Sequence, residues 1–322
     1  MKDQRRRVLS ERRKISIIVP FYNEGVGVTH FYNAICAVIN QITDFDFELI
    51  CIDDGSQDDT LSRLISVVEQ DFRFHIIELS RNFGKEAALT AGIDVATGDA
   101  IIPIDSDLQD PPELIPELIA EWLRGAEVVL AKRIDRSSDS LMKRKTAEIF
   151  YQLHNRISTI KIPENCGDYR LMDRIVVDAI KRLPEQHRFM KGLFGWVGFK
   201  TVSINYVRYP RRAGTTKFSG WKLWNFALEG ITAFSTLPLK LWSYLGLLGT
   251  VITFVYAIFI IVRTLIHGID IPGYASLLVV VLFLGSLQLM SIGMLGEYIG
   301  RIYMETKNRP LYVIRKYYGV NK

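Results

Sequence analysis

Ala100-Ile101-Ile102-Pro103-Ile104-Asp105-Ser106-Asp107-Leu108-Gln109-Asp110-Pro111-Pro112 begins as an apolar strand and ends in carboxylates, a strand-to-loop switch with proline fixing the exit. Upstream, short β-branched runs recur at Ile15–Pro20, Glu48–Asp53 and His75–Leu79, and a further one follows at Glu127–Leu130. Amphipathic stretches separate them, an alternation that reads as βαβ units around a mostly parallel sheet. In such a sheet, ligands bind beyond the carboxyl ends of the strands. The informative residues sit at those ends: Pro20-Phe21-Tyr22-Asn23-Glu24 after the first strand, Asp53-Asp54-Gly55-Ser56 after the second, and Asp105 to Pro112 after the fourth. In an extended segment residues i and i+2 point the same way, so Asp105 and Asp107 are expected to face one ligand. A hard divalent cation on a diphosphate needs oxygen ligands of this kind, one or two from protein. No GxxxxGK[ST] or GxGxxG stretch occurs, so the P-loop and dinucleotide fingerprints are absent.

The 322 residues, 48% hydrophobic and 23% charged, exclude a mini-protein and wholesale disorder. A mean hydropathy of +0.13 is high for a soluble enzyme. Cys36, Cys51 and Cys166 are odd in number and far apart, which fits neither a disulfide framework nor a CxxC site and favours a reducing, cytoplasmic setting. The basic start, Lys2 through Lys14, is followed by an apolar run too short for a secretory signal, leaving a solvated tail or a contact with anionic lipid headgroups.

Leu241–Val262 and Ile271–Gly296 contain 22 and 26 residues without a charge, each enough for the ~20 that cross hydrocarbon. Two transmembrane helices are expected over 239–298, with Gly246, Gly249, Gly285 and Gly293 suiting close packing. The short Arg263–Asp270 connection makes them a hairpin, and the outer basic residues place both termini and the 15–219 domain in the cytoplasm, beside a basic tail (1–14) and a C-terminal tail (299–322). Between 220 and 238, Trp221, Trp224, Leu228, Ile231 and Phe234 share one face, which predicts an amphipathic helix lying in the membrane interface or packed on the soluble domain.

The succession VPFYNE (Val19 to Glu24), DDGSQDDT (Asp53 to Thr60), RNFGKEAAL (Arg81 to Leu89) and DSDLQDPPE (Asp105 to Glu113) resembles the inverting GT-A glycosyltransferases of family two. More narrowly it is similar to the polyprenyl-phosphate sugar transferases, relatives of dolichyl-phosphate mannose synthase, and within them to the bacterial bactoprenol glucosyltransferases. The YPRRAGTTKF segment (Tyr209 to Phe218) and the apolar tail extend that likeness over nearly the whole chain. The resemblance implies a Rossmann-like GT-A fold with Pro20, Tyr22, Glu24, Asp54, Lys85 and Asp105 at the donor nucleotide, and with Asp107 and Gln109 on Mg2+ or Mn2+. It implies Arg133, Arg212 and Lys217 on the acceptor phosphate; Arg211 lies with them just before the amphipathic stretch, and Gln186 and Arg188, either side of His187, form an element whose basic atoms are expected to meet the leaving phosphate. Asp168 occupies the position of a proposed base, or is a structural acid pairing Arg170 or Arg174. The catalytic set is then Asp105, Asp107 and Asp168.

A lipid phosphate is already an anionic nucleophile, so the demand falls on neutralising a diphosphate and aligning the attack. The implied reaction is inverting transfer of a hexose, glucose from UDP-glucose, to undecaprenyl phosphate at the bacterial inner (cytoplasmic) membrane, supplying O-antigen or cell-envelope glycosylation. Nucleotide sugar, undecaprenyl phosphate and membrane lipid are the implied partners, nucleic acid is not one, and homo-oligomerisation is left open. Another sugar on the same lipid, or a non-catalytic nucleotide-sugar-binding scaffold, are the alternatives.

Overall fold

Within the first strand, β1 (Arg13–Phe21), Ile15, Ile17, Ile18 and Val19 are all fully buried. Burial on both faces is what a central strand of a parallel sheet requires. The computed structural model describes residues 12–134, 166–183, 185, 188, 190–207, 237–267 and 273–319. From β1 the chain alternates through α1 (Gly25–Ile39), β2 (Phe45–Asp53), α2 (Thr60–Gln70), β3 (Phe74–Leu79), α3 (Lys85–Val95), β4 (Ala100–Pro103), α4 (Ile115–Leu123) and β5 (Val128–Arg133). After 165 it continues with β6 (Cys166–Asp173), α5 (Arg174–Lys181), α6 (Met190–Trp196) and β7 (Thr201–Tyr206). Two long helices follow, α7 (Leu237–His267) and α8 (Tyr274–Thr306), and then a last strand, β8 (Ile314–Tyr318).

The strands form one sheet in the order β7-β5-β6-β4-β1-β2-β3-β8. The block β4-β1-β2-β3 is parallel, as the βαβ reading requires. The sheet as a whole is mixed, because β6 inserts antiparallel between β4 and β5 and β8 adds antiparallel to β3. Two apolar layers cover it. Val28, Phe31 and Ile35 of α1, Leu64 of α2 and Leu118 and Trp122 of α4 pack with Ile15, Ile17 and Val19. On the other face Ala88, Leu89 and Ala91 of α3, Val177 and Ile180 of α5 and Leu193 and Phe194 of α6 pack with Ile18, Ile50 and Ile52. Gly92 permits that second contact, since a Cβ there would collide with Ile18 and Ile52.

At the amino ends of the strands, Glu48 is buried with its carboxylate fully engaged. Lys14 Nζ lies 2.8 Å away, the Ser16 hydroxyl and the Gly98 amide (3.2 Å) donate to it, and so do the Thr97 amide (2.7 Å) and hydroxyl (2.9 Å). Burial alone would raise its pKa, but these donors more than reverse that and lower it from 4.5 to about 2. The contribution to stability is complete above the unfolded pKa and is lost as pH falls through the folded one. Glu48→Gln is expected to cost about 2–3 kcal/mol near neutral pH and to flatten the fall in stability toward about pH 3. Urea-unfolding midpoints at the two pH values check this; parallel acid losses in both proteins would contradict it.

The membrane expectation needs correction. Helices do form at the charge-free runs, but among the described residues no helix is long and apolar enough to cross a membrane. The transmembrane hairpin and the multi-pass inner-membrane localisation are therefore not upheld. Freedom from charge is a weaker condition than apolarity: α8 carries Ser286, Gln288 and Ser291 inside its run and continues through Glu297, Arg301 and Glu305. Nor do the helical glycines mark a tight crossing, since a Cβ at Gly246, Gly249, Gly285 or Gly293 would meet no heavy atom within 4 Å among the described residues. Both helices nonetheless expose large apolar side chains, including Phe254 and Leu289.

Candidate active site

The loops that leave β1 and β2 are stitched together. Phe21 and Asp53 are register partners, and the Asp54 amide donates to the Phe21 carbonyl (2.9 Å). Asn23, held at φ 52, is in the left-handed region that asparagine tolerates better than most residues. Its amide donates to Ser56 Oγ (3.0 Å), and its side chain accepts from the Gln57 amide (2.8 Å). The Glu24 amide donates to Thr60 Oγ1 (2.9 Å) and the Gly25 amide to Asp58 (3.1 Å). Of the expected donor residues, Pro20 is the penultimate residue of β1, and Tyr22, Glu24 and Asp54 lie on two adjacent loops that these bonds tie together.

Asp54 reaches further. Its two oxygens accept from the Phe83 and Gly84 amides at 2.7 and 2.9 Å, gripping the loop that enters α3. Gly55, at φ 68, lets that loop approach, because a Cβ there would collide with the backbone of Arg81 and Asn82. Burial raises the pKa of both Asp53 and Asp54, against the hydrogen bonds each receives.

The residue after Gly84 is Lys85, and it joins what the sequence left apart. Its ammonium lies 2.7 and 2.9 Å from the two oxygens of Asp105 and 2.8 Å from Oδ2 of Asp168. Burial would lower the lysine pKa, but the two carboxylates more than reverse that and hold it above its ordinary value. Neither Arg170 nor Arg174 takes the expected partnership with the Asp168 side chain. Arg170 donates to the carbonyls of Gly167 (2.6 Å) and Asp168 (3.4 Å) and stacks over the Phe194 ring at 4.0 Å. Burial pulls the Arg170 pKa down to about 10, with Asp168 resisting. Arg174 lies 3.8 Å from Asp178.

The acidic loop departs from the extended geometry read from its spacing. β4 ends at Pro103, Asp107 lies in a turn and the buried Leu108 has φ 54, so the i, i+2 rule does not set the direction of these carboxylates. A bulky residue in that region costs of order 1–3 kcal/mol and persists only where its surroundings over-determine it. Here two tyrosines do so. Tyr169 donates to the Pro111 carbonyl (2.9 Å), Tyr206 to buried Asp110 (2.5 Å), and the two rings meet edge to face. Neither tyrosine carried a sequence signal, because both act from β6 and β7 across the sheet. The Gln109 amide donates to Asp107 Oδ1 at 3.1 Å, closing the turn.

Among the described residues no group of three or more His, Cys, Asp or Glu is disposed to hold a metal. The donor chemistry of Asp105 and Asp107 instead suits a hard cation that takes one or two protein oxygens and completes its shell from phosphates. Arg188 donates to the Glu185 (3.3 Å) and Leu183 (2.9 Å) carbonyls and keeps a buried Nη1 with no hydrogen-bond partner among the described residues. Arg133 closes β5. Gln186, Arg211, Arg212 and Lys217, with the 220–236 stretch, lie outside the described residues. The three cysteines are buried and none is in a disulfide, and burial pushes the Cys51 thiol up to about 12.

The model of the family described as glycosyl transferase family 2 matches residues 16–181, the stretch that holds every described site residue except Arg188. The SfII prophage-derived bactoprenol glucosyl transferase of Shigella flexneri is 54% identical over 303 residues, 94% of this chain and 98% of that protein. An uncharacterized glycosyltransferase of Synechocystis sp. is 50% identical over 307 residues, 95% and 96% of the two chains. Among solved structures, glucosyl-3-phosphoglycerate synthase from Mycobacterium tuberculosis, in complex with Mn2+, UDP and glucosyl-3-phosphoglycerate, aligns with TM-score 0.46 and 19% identity over 68% of this chain and 76% of that one. With the motifs read from the sequence now seated on loops at one end of the sheet, and relatives of this identity along almost its full length, the chain belongs to glycosyl transferase family 2.

Proposed function

We propose that this hexosyltransferase moves glucose from UDP-glucose to undecaprenyl phosphate with inversion at the anomeric carbon. A phosphate oxygen of the lipid forms the new bond to that carbon as the bond to the diphosphate breaks, and UDP leaves with the electron pair. The observation that carries the reading is the convergence on Lys85: Asp54 grips the loop before it, and its ammonium joins Asp105 to Asp168. A cation held between two carboxylates, on the loops where a parallel sheet binds ligands, suits an anionic leaving group that also brings a metal. The 54% identity to a bactoprenol glucosyl transferase supports the choice of glucose and of the lipid.

In this reading Pro20, Tyr22, Glu24 and Asp54 bind the nucleoside, while Lys85 compensates Asp105 and Asp168. Asp107, with Gln109 beside it, would hold Mg2+ or Mn2+, which when bound supplies charge compensation for the diphosphate. Arg188, with Gln186, takes the departing phosphate, and Arg133, Arg211, Arg212 and Lys217 orient the lipid phosphate, where a guanidinium fork neutralises and aligns at once. Calorimetric titration of the purified protein with UDP-glucose, with and without Mn2+, tests the donor assignment. Binding strengthened by Mn2+ is expected; failure to bind any nucleotide sugar would overturn it.

A further inference from the structure

The residues after α8 do not trail away from the catalytic sheet. β8 pairs antiparallel with β3, setting Ile314 opposite Leu79, Tyr317 opposite Ile77 and Tyr318 opposite Ile76. Side chains reinforce the pairing: Tyr318 donates to Glu78 (2.9 Å), Arg315 lies 3.4 Å from Glu78, and His75 Nδ1 lies 2.7 Å from the Gly319 carbonyl. Ahead of the strand, the Val313 carbonyl accepts from the Ser80 amide at 2.9 Å. The Tyr312 hydroxyl donates to Asp94 in α3 at 2.8 Å, and the Tyr312 ring and Ile314 pack against the core layer that holds Ala88, Leu89 and Ala91.

These contacts bracket one loop. Ser80, bound by Val313, is where β3 gives way to residues 81–84, whose last two amides Asp54 grips. Lys85 follows and opens α3, the helix that Tyr312 holds near its other end. An edge strand of five residues is a small gain for a sheet that is already wide, whereas a clamp at both ends of the element that aims Lys85 has a direct chemical consequence.

We propose that residues 312–318 belong to the donor-binding apparatus: they clamp the 80–85 loop and α3, with Tyr312 as the main positioning residue, so that the end of α8 is linked mechanically to Lys85. This rests on the reading of Lys85 as a donor-site residue.

The test uses the full chain and three proteins: wild type, Tyr312→Phe, and the double variant Tyr312→Ala with Ile314→Asp. Hydrogen exchange is followed at the peptide covering 80–85, and Kd is measured for UDP-glucose. In the double variant, exchange of the Phe83 and Gly84 amides should quicken about tenfold or more and Kd should rise by a similar factor. Tyr312→Phe keeps the ring and loses only the bond to Asp94; it should show the same two changes at about threefold. A lower melting temperature with unchanged exchange at 80–85 and unchanged Kd in Tyr312→Phe would overturn the proposal, since that is what a merely structural strand gives. If the wild type binds no nucleotide sugar, the donor reading fails, whereas exchange at Phe83 and Gly84 still decides whether the clamp exists.

Discussion

Lys85→Met is expected to lower glucosyl transfer by about a hundredfold or more while the protein remains folded. The ammonium is the shared counter-ion of Asp105 and Asp168, at 2.7–2.9 Å from three of their oxygens. With it removed, Asp105 and Asp168 lose the cation they share, and one is expected to take up a proton or both to move. Either outcome spoils a site that has to receive a diphosphate. The stem of Lys85 is partly exposed, so methionine replaces it without leaving a core cavity. Lys85→Arg should not restore activity, because a planar fork cannot take the place of a compact ammonium among three oxygens. The discriminating measurement is the pH profile of kcat/KM. A new ionisation above the usual carboxylate range should appear in Lys85→Met; an unchanged profile with near-normal rate would show that the triad is incidental.

Asp107→Asn is expected to leave less than about a tenth of wild-type transfer in saturating Mn2+ or Mg2+. Asparagine keeps the shape and the Oδ1 acceptor that closes the turn to the Gln109 amide, so the loop stays in place while the charge goes. Mn2+ binding in the presence of UDP should weaken in parallel. Retention of both activity and Mn2+ affinity would assign the cation to other residues.

The parallel half of the sheet was legible in the sequence because its strands are buried on both faces and read as unbroken apolar runs: Ile15–Pro20 falls within β1, and Glu48–Asp53 within β2. The loops at their carboxyl ends were legible for the same reason, since an abrupt change from apolar to acidic marks where the chain leaves the core. The contacts that assemble the site were not. Lys85 and Asp168 lie 83 positions apart, and only the antiparallel insertion of β6 beside β4 brings them together. Tyr169 and Tyr206 look like ordinary strand aromatics until their hydroxyls are seen to hold the Pro111 carbonyl and the Asp110 carboxylate. β8 could not be read either: Ile314-Arg315-Lys316-Tyr317-Tyr318 has no alternating pattern and becomes a strand through the partner it finds in β3. A charge-free run does not by itself make a spanning helix: α8 keeps Ser286, Gln288 and Ser291 within its run, and among the described residues no helix is long and apolar enough to cross a membrane.

The most direct test of the account is transfer itself. The purified full chain is incubated with undecaprenyl phosphate, a divalent cation and a panel of labelled nucleotide sugars, and the lipid is extracted. The account predicts label in the organic phase from UDP-glucose above all other donors, as a β-linked glucosyl phosphate, with none when the cation is chelated. Label that stays in the aqueous phase with every donor, or that appears there as free glucose at an undiminished rate without the lipid, would contradict it.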